Sequence, residues 1–537
     1  AGNAEFTEAW KNTPSVYVSN QAGGFGDSQV FLRGFDDTNT AFLLNGQPIN
    51  SQEDGRMFWS NWAGMSDVAN AVQVQRGLGS SKLAISSVGG TVNIISKTTD
   101  AKKGGFVRFL GGNDSYFKGT VGYNSGLNEK GWAFSVLLDH WQAHRKFAVG
   151  TAGQGQNYLF SVGYKPNEQH AFNFLLTGAP QWHDQNFSNS LDTYAVFGEK
   201  YNGNTGFLDG ERYTERRNYY HKPVANLNWD FEISETADLS TVAYASWGRG
   251  GGTGMLGSGS RVRLDNGEID FDAIVQNNIN DSENGIGNFG NSRIRRASIN
   301  NHNWYGLLSN LNLQSGENLS FNLGLDGRLY KGDHWRQVND LLGLTGFQDN
   351  FNTNRPDDYT FTEEFEADPY AALFNFADED QRTQYDYSEN INYIGGFGQA
   401  EYATDVFSVF FQGAVSTQSF QRTGRFVGTG NGLGESEKLS KLGYNLKGGA
   451  SFNITEEHAV FANAGFFSKQ PYLDNIFRDV RNSNDLVEPE IDNEEITGLE
   501  AGYRFENDNL RLNVDIYRTE WGNRFLSVGT QDNTDPD

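Results

Sequence analysis

Most of the chain alternates apolar and polar residues with a period of two. In residues 319–325 every odd-numbered position is apolar, and residues 510–516 repeat the pattern with apolar even-numbered positions. Residues 158–164 and 407–415 each carry an apolar set on one face. Successive side chains of a β-strand point to opposite faces, so this period predicts strands with one dry face and one wet face. The pattern begins near residue 102 and continues almost to the end.

The connections between these strands have a second regularity, because short ones alternate with long ones. The short connections are 127–130, 166–169, 234–237, 315–318, 455–457 and 505–508, and the long ones are 144–156, 181–222, 250–301, 331–389, 419–442 and 470–494. Short turns at one end and long loops at the other are typical of an outer-membrane barrel, whereas a soluble sandwich has no reason for them. We therefore predict an all-β, antiparallel transmembrane barrel with about 15 strands.

Residues 30–97 have a different character. Three short apolar runs at 41–44, 71–75 and 91–95 are bounded by turns that contain Asn-Gly, Arg-Gly and Gly-Gly pairs. Glycine and asparagine supply the positive φ angles that tight turns need. Short apolar runs between such turns predict a small mixed sheet that precedes the barrel.

Four motifs in this early region carry a family resemblance. LRGF (32–35), LLNGQPI (43–49), VQVQRG (72–77) and GGTVNIISK (89–97) follow one another in the order and spacing of the plug domain of TonB-dependent outer-membrane receptors, which this region resembles. Segments 395–405, 465–477 and 488–503 are similar to barrel motifs of the same family. The resemblance implies an α+β plug at residues 1–101 inside the lumen of a barrel at residues 102–537. It also implies about 22 strands in the whole barrel, so we expect sequence beyond both ends of the chain.

The composition of the chain argues against several classes of function. The net charge of −25 over 537 residues disfavours binding to nucleic acid, which calls for a basic surface. The chain has no cysteine, which excludes a disulfide framework and thiolate metal sites. It lacks the Gly-x-Ser-x-Gly, phosphate-loop and zinc-spacing motifs, so we expect neither an enzyme nor a bound metal at a recognised motif.

The resemblance also implies a latch between plug and barrel, in which plug arginines pair with glutamates of the wall. The matching arginines are Arg33 and Arg76. Strand parity places Glu401 and Glu500 on the inner face, because their neighbours are the apolar residues that face lipid. The alternative is that the two arginines only cap turns of the plug.

Two plug loops, 21–28 and 50–62, correspond to those that the family presents to its ligand. The alternative is that the loop tryptophans pack against the barrel wall and that His183, which the pattern places in an external loop, lies at the rim. The predicted ligand contacts are Phe25, Asp27, Arg56, Phe58, Trp59, Trp62 and His183.

Acidic clusters at 265–272, 357–368, 378–380 and 488–495 offer oxygen ligands for calcium in the external loops. None has the spacing of a calcium loop, and solvated charge is the alternative. We expect no other cofactor.

The function that the resemblance implies is energy-coupled uptake of a scarce, bulky ligand across the outer membrane of a Gram-negative bacterium. Its implied partners are a periplasmic TonB-type energy-coupling protein, the surrounding outer-membrane lipid and an external small-molecule, glycan or peptide ligand. The alternative is a receptor or assembly component that binds a partner, such as a surface lipoprotein, without import. A passive porin would have an open lumen, which a plug contradicts. The sequence does not identify the ligand.

Overall fold

The computed structural model describes residues 6–20, 23–26, 28–79, 87–352, 354–356, 358–426 and 431–525. The strands are β1 (Val16–Asn20), β2 (Ser28–Leu32), β3 (Thr40–Leu44), β4 (Gln47–Pro48), β5 (Ala71–Arg76), β6 (Gly90–Ile95), β7 (Gly104–Gly111), β8 (Phe117–Asn124), β9 (Trp132–Ala143), β10 (Gly153–Tyr164), β11 (His170–Gly178), β12 (Gln181–Asp184), β13 (Thr205–Leu208), β14 (Glu211–Thr214), β15 (Arg217–His221), β16 (Val224–Ser234), β17 (Ala237–Leu256), β18 (Ile269–Asp270), β19 (Ile286–Asn288), β20 (Ile294–Ser315), β21 (Leu319–Asp340), β22 (Gly346–Gln348), β23 (Thr360–Phe361), β24 (Arg382–Ala403), β25 (Phe407–Gly424), β26 (Gly434–Glu435), β27 (Leu439–Asn453), β28 (His458–Lys469), β29 (Glu494–Glu506) and β30 (Arg511–Gly522).

The helices are few and short. They are α1 (Met65–Val68), α2 (Leu191–Phe197), α3 (Phe271–Asp281) and α4 (Leu473–Ile476), with single 3₁₀ turns at Phe6–Ala9, Asp37–Asn39, Trp59–Trp62, Thr98–Asp100, Ala371–Leu373 and Glu379–Gln381. Within the described ranges, no helix is both long enough and apolar enough to cross a membrane.

The barrel wall is one antiparallel sheet whose strands neighbour one another in chain order. Eighteen strand segments of the described chain belong to it. Three pairs of these segments act as single interrupted strands, because β12 extends β11, β15 leads into β16, and β26 leads into β27. The described wall therefore has 15 strands, which confirms the predicted barrel and its approximate strand number.

The two faces of the wall have the predicted polarity. In β21, Leu323 and Leu325 are 49% and 68% exposed, whereas Asn322 between neighbouring apolar residues is 5% exposed. In β25, Phe411 is 60% exposed and the adjacent Gln412 is fully buried. An apolar outside and a polar inside reverse the arrangement of a soluble protein and suit a sheet whose outer face contacts acyl chains.

Several strands extend further outward than the sequence pattern indicates. The predicted bounds of the loops at 250–301 and 331–389 are wrong. The first loop is shorter because β17 continues to Leu256 and β20 begins at Ile294, and the second because β21 continues to Asp340 and β24 begins at Arg382. Strands β20, β21 and β24 each have 22 residues. Above the lipid both faces of the wall meet water or protein, so the alternation of apolar and polar residues fades there while the strand goes on.

The plug contains a four-stranded mixed sheet in the order β4-β3-β6-β5, with β3 and β6 parallel, beside the hairpin β1–β2. Its core holds Trp10, Phe42 and Trp59. The rings of Trp10 and Phe42 pack edge to face against the ring of Trp59, with centroids 5.1 and 5.0 Å from it. This core continues into the wall, because four apolar side chains of β9, β10, β11 and β16 join it: Leu137, Leu159, Leu175 and Val224. The plug therefore lies against the inner face of the barrel, and the first barrel strand follows directly at Gly104.

Candidate functional site

An ion-pair cluster joins the plug to two neighbouring barrel strands. Arg33 Nη1 lies 2.7 Å from Glu500 Oε1 of β29, and Arg33 Nη2 lies 3.0 Å from Asp515 Oδ2 of β30. The Arg33 and Glu500 side chains are only 5% and 3% exposed. Arg76 is at the edge of the cluster, with Nη1 3.9 Å from Asp515 Oδ2. One buried guanidinium thus satisfies carboxylates from two strands at once.

Local backbone conformation brings this arginine to the wall. Arg33 has a φ of 56° in the turn after β2, and the Tyr517 hydroxyl of β30 donates a hydrogen bond to its carbonyl oxygen at 2.9 Å. Gly77 follows β5 with a φ of 68°. A Cβ atom at Gly77 would lie 2.3 Å from Arg33 Nη1 and 2.6 Å from Glu500 Oε2, so only glycine leaves room for the pair.

The structure places Glu401 away from both arginines. It faces the lumen on β24, as parity predicts, but it lines a cavity of about 790 Å³ near the short turns, together with Gln399 and Asp230. Within the described part of the chain, Asp515 takes the position that the sequence analysis gave to Glu401. Parity identifies the face of a strand but not which strand lies opposite a given plug residue, and for this reason Asp515 was missed.

A second buried charge cluster attaches the other side of the plug. Lys118 Nζ of β8 lies 2.5 Å from Asp67 Oδ2 of the plug helix α1 and 3.3 Å from Asp139 Oδ2 of β9. All three side chains are nearly inaccessible to solvent. A more exposed pair, Lys97 with Asp230, lies where the plug leads into the barrel. No motif or residue spacing in the sequence indicates these contacts.

The predicted ligand-contacting residues divide into two groups. Phe25, Trp59 and Trp62 are buried: the Phe25 ring lies 5.1 Å from that of Trp141 on the wall, and Trp59 and Trp62 belong to the plug core. Arg56 and Phe58 are exposed. Arg56 lines a cavity of about 450 Å³ on the side of the long loops, which suits contact with an external solute.

The position of His183 differs from the prediction. His183 is not in an external loop, as expected, but in β12, where it is buried and its Nδ1 lies 2.7 Å from Gln181 Oε1. Its ring packs so closely on the plug that a Cβ atom at Gly26 would come within 2.5 Å of it. Asp27 lies outside the described residues.

A cluster of polar groups that the sequence analysis missed joins the second plug loop to the wall. Glu53 Oε1 lies 3.0 Å from His334 Nε2 of β21 and 3.3 Å from His302 Nε2 of β20. The Tyr330 hydroxyl donates a hydrogen bond to the same carboxylate oxygen. His334 Nε2 is also 3.6 Å from Glu389 Oε2 of β24. The four segments are far apart in the sequence, and His334 falls in a predicted loop, so no spacing pointed to the cluster.

Burial and charge act in opposite directions on the carboxyl groups of this region. Burial tends to raise the pKa of Glu53, but the nearby His334 and His302 outweigh it and hold that pKa below its usual range. Asp474 of α4 lies beside Glu53, and there burial, together with the charges of Glu389 and Glu53, outweighs the opposing effect of His334 and raises the pKa of Asp474 to about 8. The cluster is thus a charged contact between plug and wall, bordered by a carboxyl group that is protonated at neutral pH.

Comparison with known proteins agrees with this architecture. Residues 1–91 match the model of the TonB-dependent receptor plug domain. A vitamin B12 transporter, BtuB, of Vibrio vulnificus is 27% identical over 195 residues, which are 36% of this chain and only 30% of the transporter. The unliganded ferric citrate transporter FecA superposes with a TM-score of 0.67 at 13% identity, covering 99% of this chain and 69% of FecA. The copper transporter OprC gives a TM-score of 0.66 at 11% identity, with 97% and 71% coverage.

The matched family consists of receptors and transporters rather than enzymes. Its members reside in the outer membrane of Gram-negative bacteria, and the apolar outer face of the barrel wall fits that location. The resemblance first seen in four short motifs is therefore confirmed by the matched plug and by the shared architecture of plug and barrel. The chain therefore contains a TonB-dependent receptor plug domain at residues 1–91 and has the plug-and-barrel fold of the solved transporters.

Proposed function

We propose that this chain serves energy-coupled uptake of a scarce, bulky ligand across the outer membrane, with the plug as its gate. The observation that carries the proposal is the plug itself, which lies in the lumen and is fixed to β29 and β30 by the buried cluster around Arg33. A buried ion pair adds little net stability over an apolar contact, yet it holds one defined geometry. Such a contact keeps the plug in register and can be released by a directed pull.

The pull would come from a periplasmic TonB-type energy-coupling protein. The related proteins bear names that refer to vitamin B12, ferric citrate and copper, which are chemically unlike one another. They support uptake as the function of this chain and leave the ligand open. The exposed side chains of Arg56 and Phe58 are the plug residues that we propose to meet the ligand.

The experiment that tests this proposal compares ligand accumulation with surface binding in cells that have or lack the coupling protein. Loss of the partner should abolish accumulation and leave binding at the surface unchanged. Undiminished accumulation would reject active import. The double variant Arg33→Ala/Arg76→Ala should also bind normally and transport poorly, and normal transport by that variant would reject the latch while leaving uptake itself in place.

A second candidate is a receptor that binds a partner, such as a surface lipoprotein, without import. It draws support from apolar side chains that project from the long loops, namely Leu191 and Val196 of α2 and Phe374, which are 74–87% exposed. Exposed apolar groups of this size often mark protein contacts. The same assay separates the two candidates, because a pure receptor would show binding and no accumulation whether or not the coupling protein is present.

A further inference from the structure

We propose that Glu53, His302 and His334 form a binding site for a divalent first-row transition-metal ion that bridges the plug and the barrel wall. One ligand atom from each residue lies within 4.8 Å of the other two, and among the described residues this is the only such group of three. The site goes beyond ligand uptake, because it concerns an ion held between two parts of the protein itself.

The hydrogen bonds behind the two imidazole rings set their tautomers. His334 Nδ1 lies 3.0 Å from the amide oxygen of Asn300, which can only accept, so this nitrogen carries the proton. The Tyr220 hydroxyl donates to the Asn300 carbonyl oxygen at 2.9 Å and is left to accept from His302 Nδ1 at 3.2 Å. When neutral, each ring therefore presents the Nε2 lone pair, as in metal-binding histidines that are oriented by a second hydrogen bond.

Both Nε2 atoms face the same carboxylate oxygen. Glu53 Oε1 is 3.0 Å from His334 Nε2 and 3.3 Å from His302 Nε2. Glu389 is 1% exposed, and both of its carboxylate oxygens lack a hydrogen-bond partner within the described residues. Without an ion, protons on the imidazole rings supply the positive charge that this buried pocket requires. A divalent cation can displace those protons and bind all four groups.

The distances suit such an ion. Zinc bonds of about 2.0–2.2 Å in tetrahedral geometry place the ligand atoms about 3.3 Å apart. The observed separations from Glu53 to the two histidines are 3.0 and 3.3 Å, and that from His334 to Glu389 is 3.6 Å. Glu389 can therefore become the fourth ligand after a small movement. Imidazole nitrogen with carboxylate oxygen favours zinc, copper, nickel or iron over calcium and magnesium, which prefer oxygen alone.

The test uses the whole chain, purified in detergent and treated with a chelator, and then titrated with Zn²⁺ by calorimetry and with Co²⁺ by visible absorption. We expect one tightly bound ion per chain and a tetrahedral Co²⁺ spectrum. His302→Gln and His334→Gln should each weaken binding at least tenfold, whereas His144→Gln, which replaces a 60% exposed histidine elsewhere, should not change it. Binding that survives both substitutions would overturn the proposal, as would its absence from the unaltered chain.

X-ray absorption on the unaltered, zinc-loaded protein keeps the proposal testable if the variants fail to fold. The expected spectrum shows four nitrogen or oxygen neighbours at about 2.0 Å, with the outer-shell signal of two imidazoles. A shell of oxygen alone would assign the ion to the acidic loops and would overturn the proposal. Because both measurements use purified protein and metal alone, their outcome does not depend on whether the chain imports a ligand.

Discussion

Replacing Arg33 by alanine is the most direct perturbation of the contact between plug and wall. It removes the guanidinium that lies 2.7 Å from Glu500 and 3.0 Å from Asp515. The Glu500 carboxylate, at 3% exposure, would then keep one hydrogen bond, from the backbone N–H of Leu78 at 3.2 Å. The variant therefore leaves a buried, almost uncompensated charge at the interface.

The expected magnitude follows from that geometry. Breaking a buried pair by removing one partner costs about 3–5 kcal/mol. The remaining hydrogen bond and the partly accessible Asp515 favour the lower end, about 3 kcal/mol, which corresponds to about a 100-fold larger equilibrium constant for plug opening. Removing both charges with Arg33→Ala/Glu500→Ala should cost less than the sum of the single changes, because neither charge is then left alone.

The assay exploits the absence of cysteine from the chain. Thr40→Cys introduces a single thiol at a position of β3 that is 3% exposed and differs little in shape. When opening and closing are fast, the rate of its reaction with a thiol reagent is proportional to the opening constant. The Arg33→Ala variant should therefore react about 100-fold faster in detergent solution at low urea.

A matched control lies on β30 near the cluster. Arg518→Ala removes an arginine whose side chain is 76% exposed, and its reaction rate should stay within about threefold of the parent because exposed ion pairs contribute little. If Arg33→Ala also stays within threefold, or if the double variant shows simple additivity, the Arg33 cluster does not hold the plug and the reasoning fails.

The same thiol assay checks three further predictions. Gly77→Ala should raise the opening constant at least tenfold more than Gly34→Ala, since both glycines have positive φ but only Gly77 lacks space for a Cβ atom; equal effects would show that backbone strain alone matters. Lys118→Met should destabilise the plug by about 3 kcal/mol because it removes the buried cation that Asp67 and Asp139 share, although Asp67 keeps its ion pair with Arg108; Lys97→Met, at a 26% exposed side chain, should cost under about 1 kcal/mol. Burial raises the pKa of Asp37 from 3.8 to about 6, so the folded plug binds the proton more tightly than the unfolded one and its stability falls, by up to about 3 kcal/mol, as pH rises from about 4 to 6. Asp37→Asn should flatten this pH dependence and stabilise the plug at pH 7. If plug stability falls equally steeply with pH in the variant, Asp37 is not the group responsible.

The sequence was most informative where one physical environment acts on a whole strand. Lipid on one side and a wet lumen on the other impose the alternation seen at Leu323, Asn322 and Leu325, and the structure bears it out. Short turns and long loops also separate as predicted. Even a charged contact was accessible in part, because strand parity and the family motif together indicated Arg33 and Glu500.

The sequence was least informative where position depends on how the plug docks in the lumen. Glu401 and Glu500 both face inward, and only docking decides which of them meets Arg33. The cluster around Glu53 draws its members from one plug loop and three strands, so no local spacing marks it. His334 lies near the outer end of β21, where loops bury residues on both faces of the strand, so the alternation of apolar and polar residues that marks the rest of the strand is lost.

The length of β20, β21 and β24 has a consequence for where a solute first touches the protein. A strand of 22 residues spans about 70 Å along its axis and, at a tilt of about 40°, rises about 55 Å. The hydrophobic belt of such barrels is about 25 Å tall. Roughly half the length of these three strands therefore lies outside the bilayer, so molecules arriving on this side of the barrel meet protein before they reach the level of the headgroups.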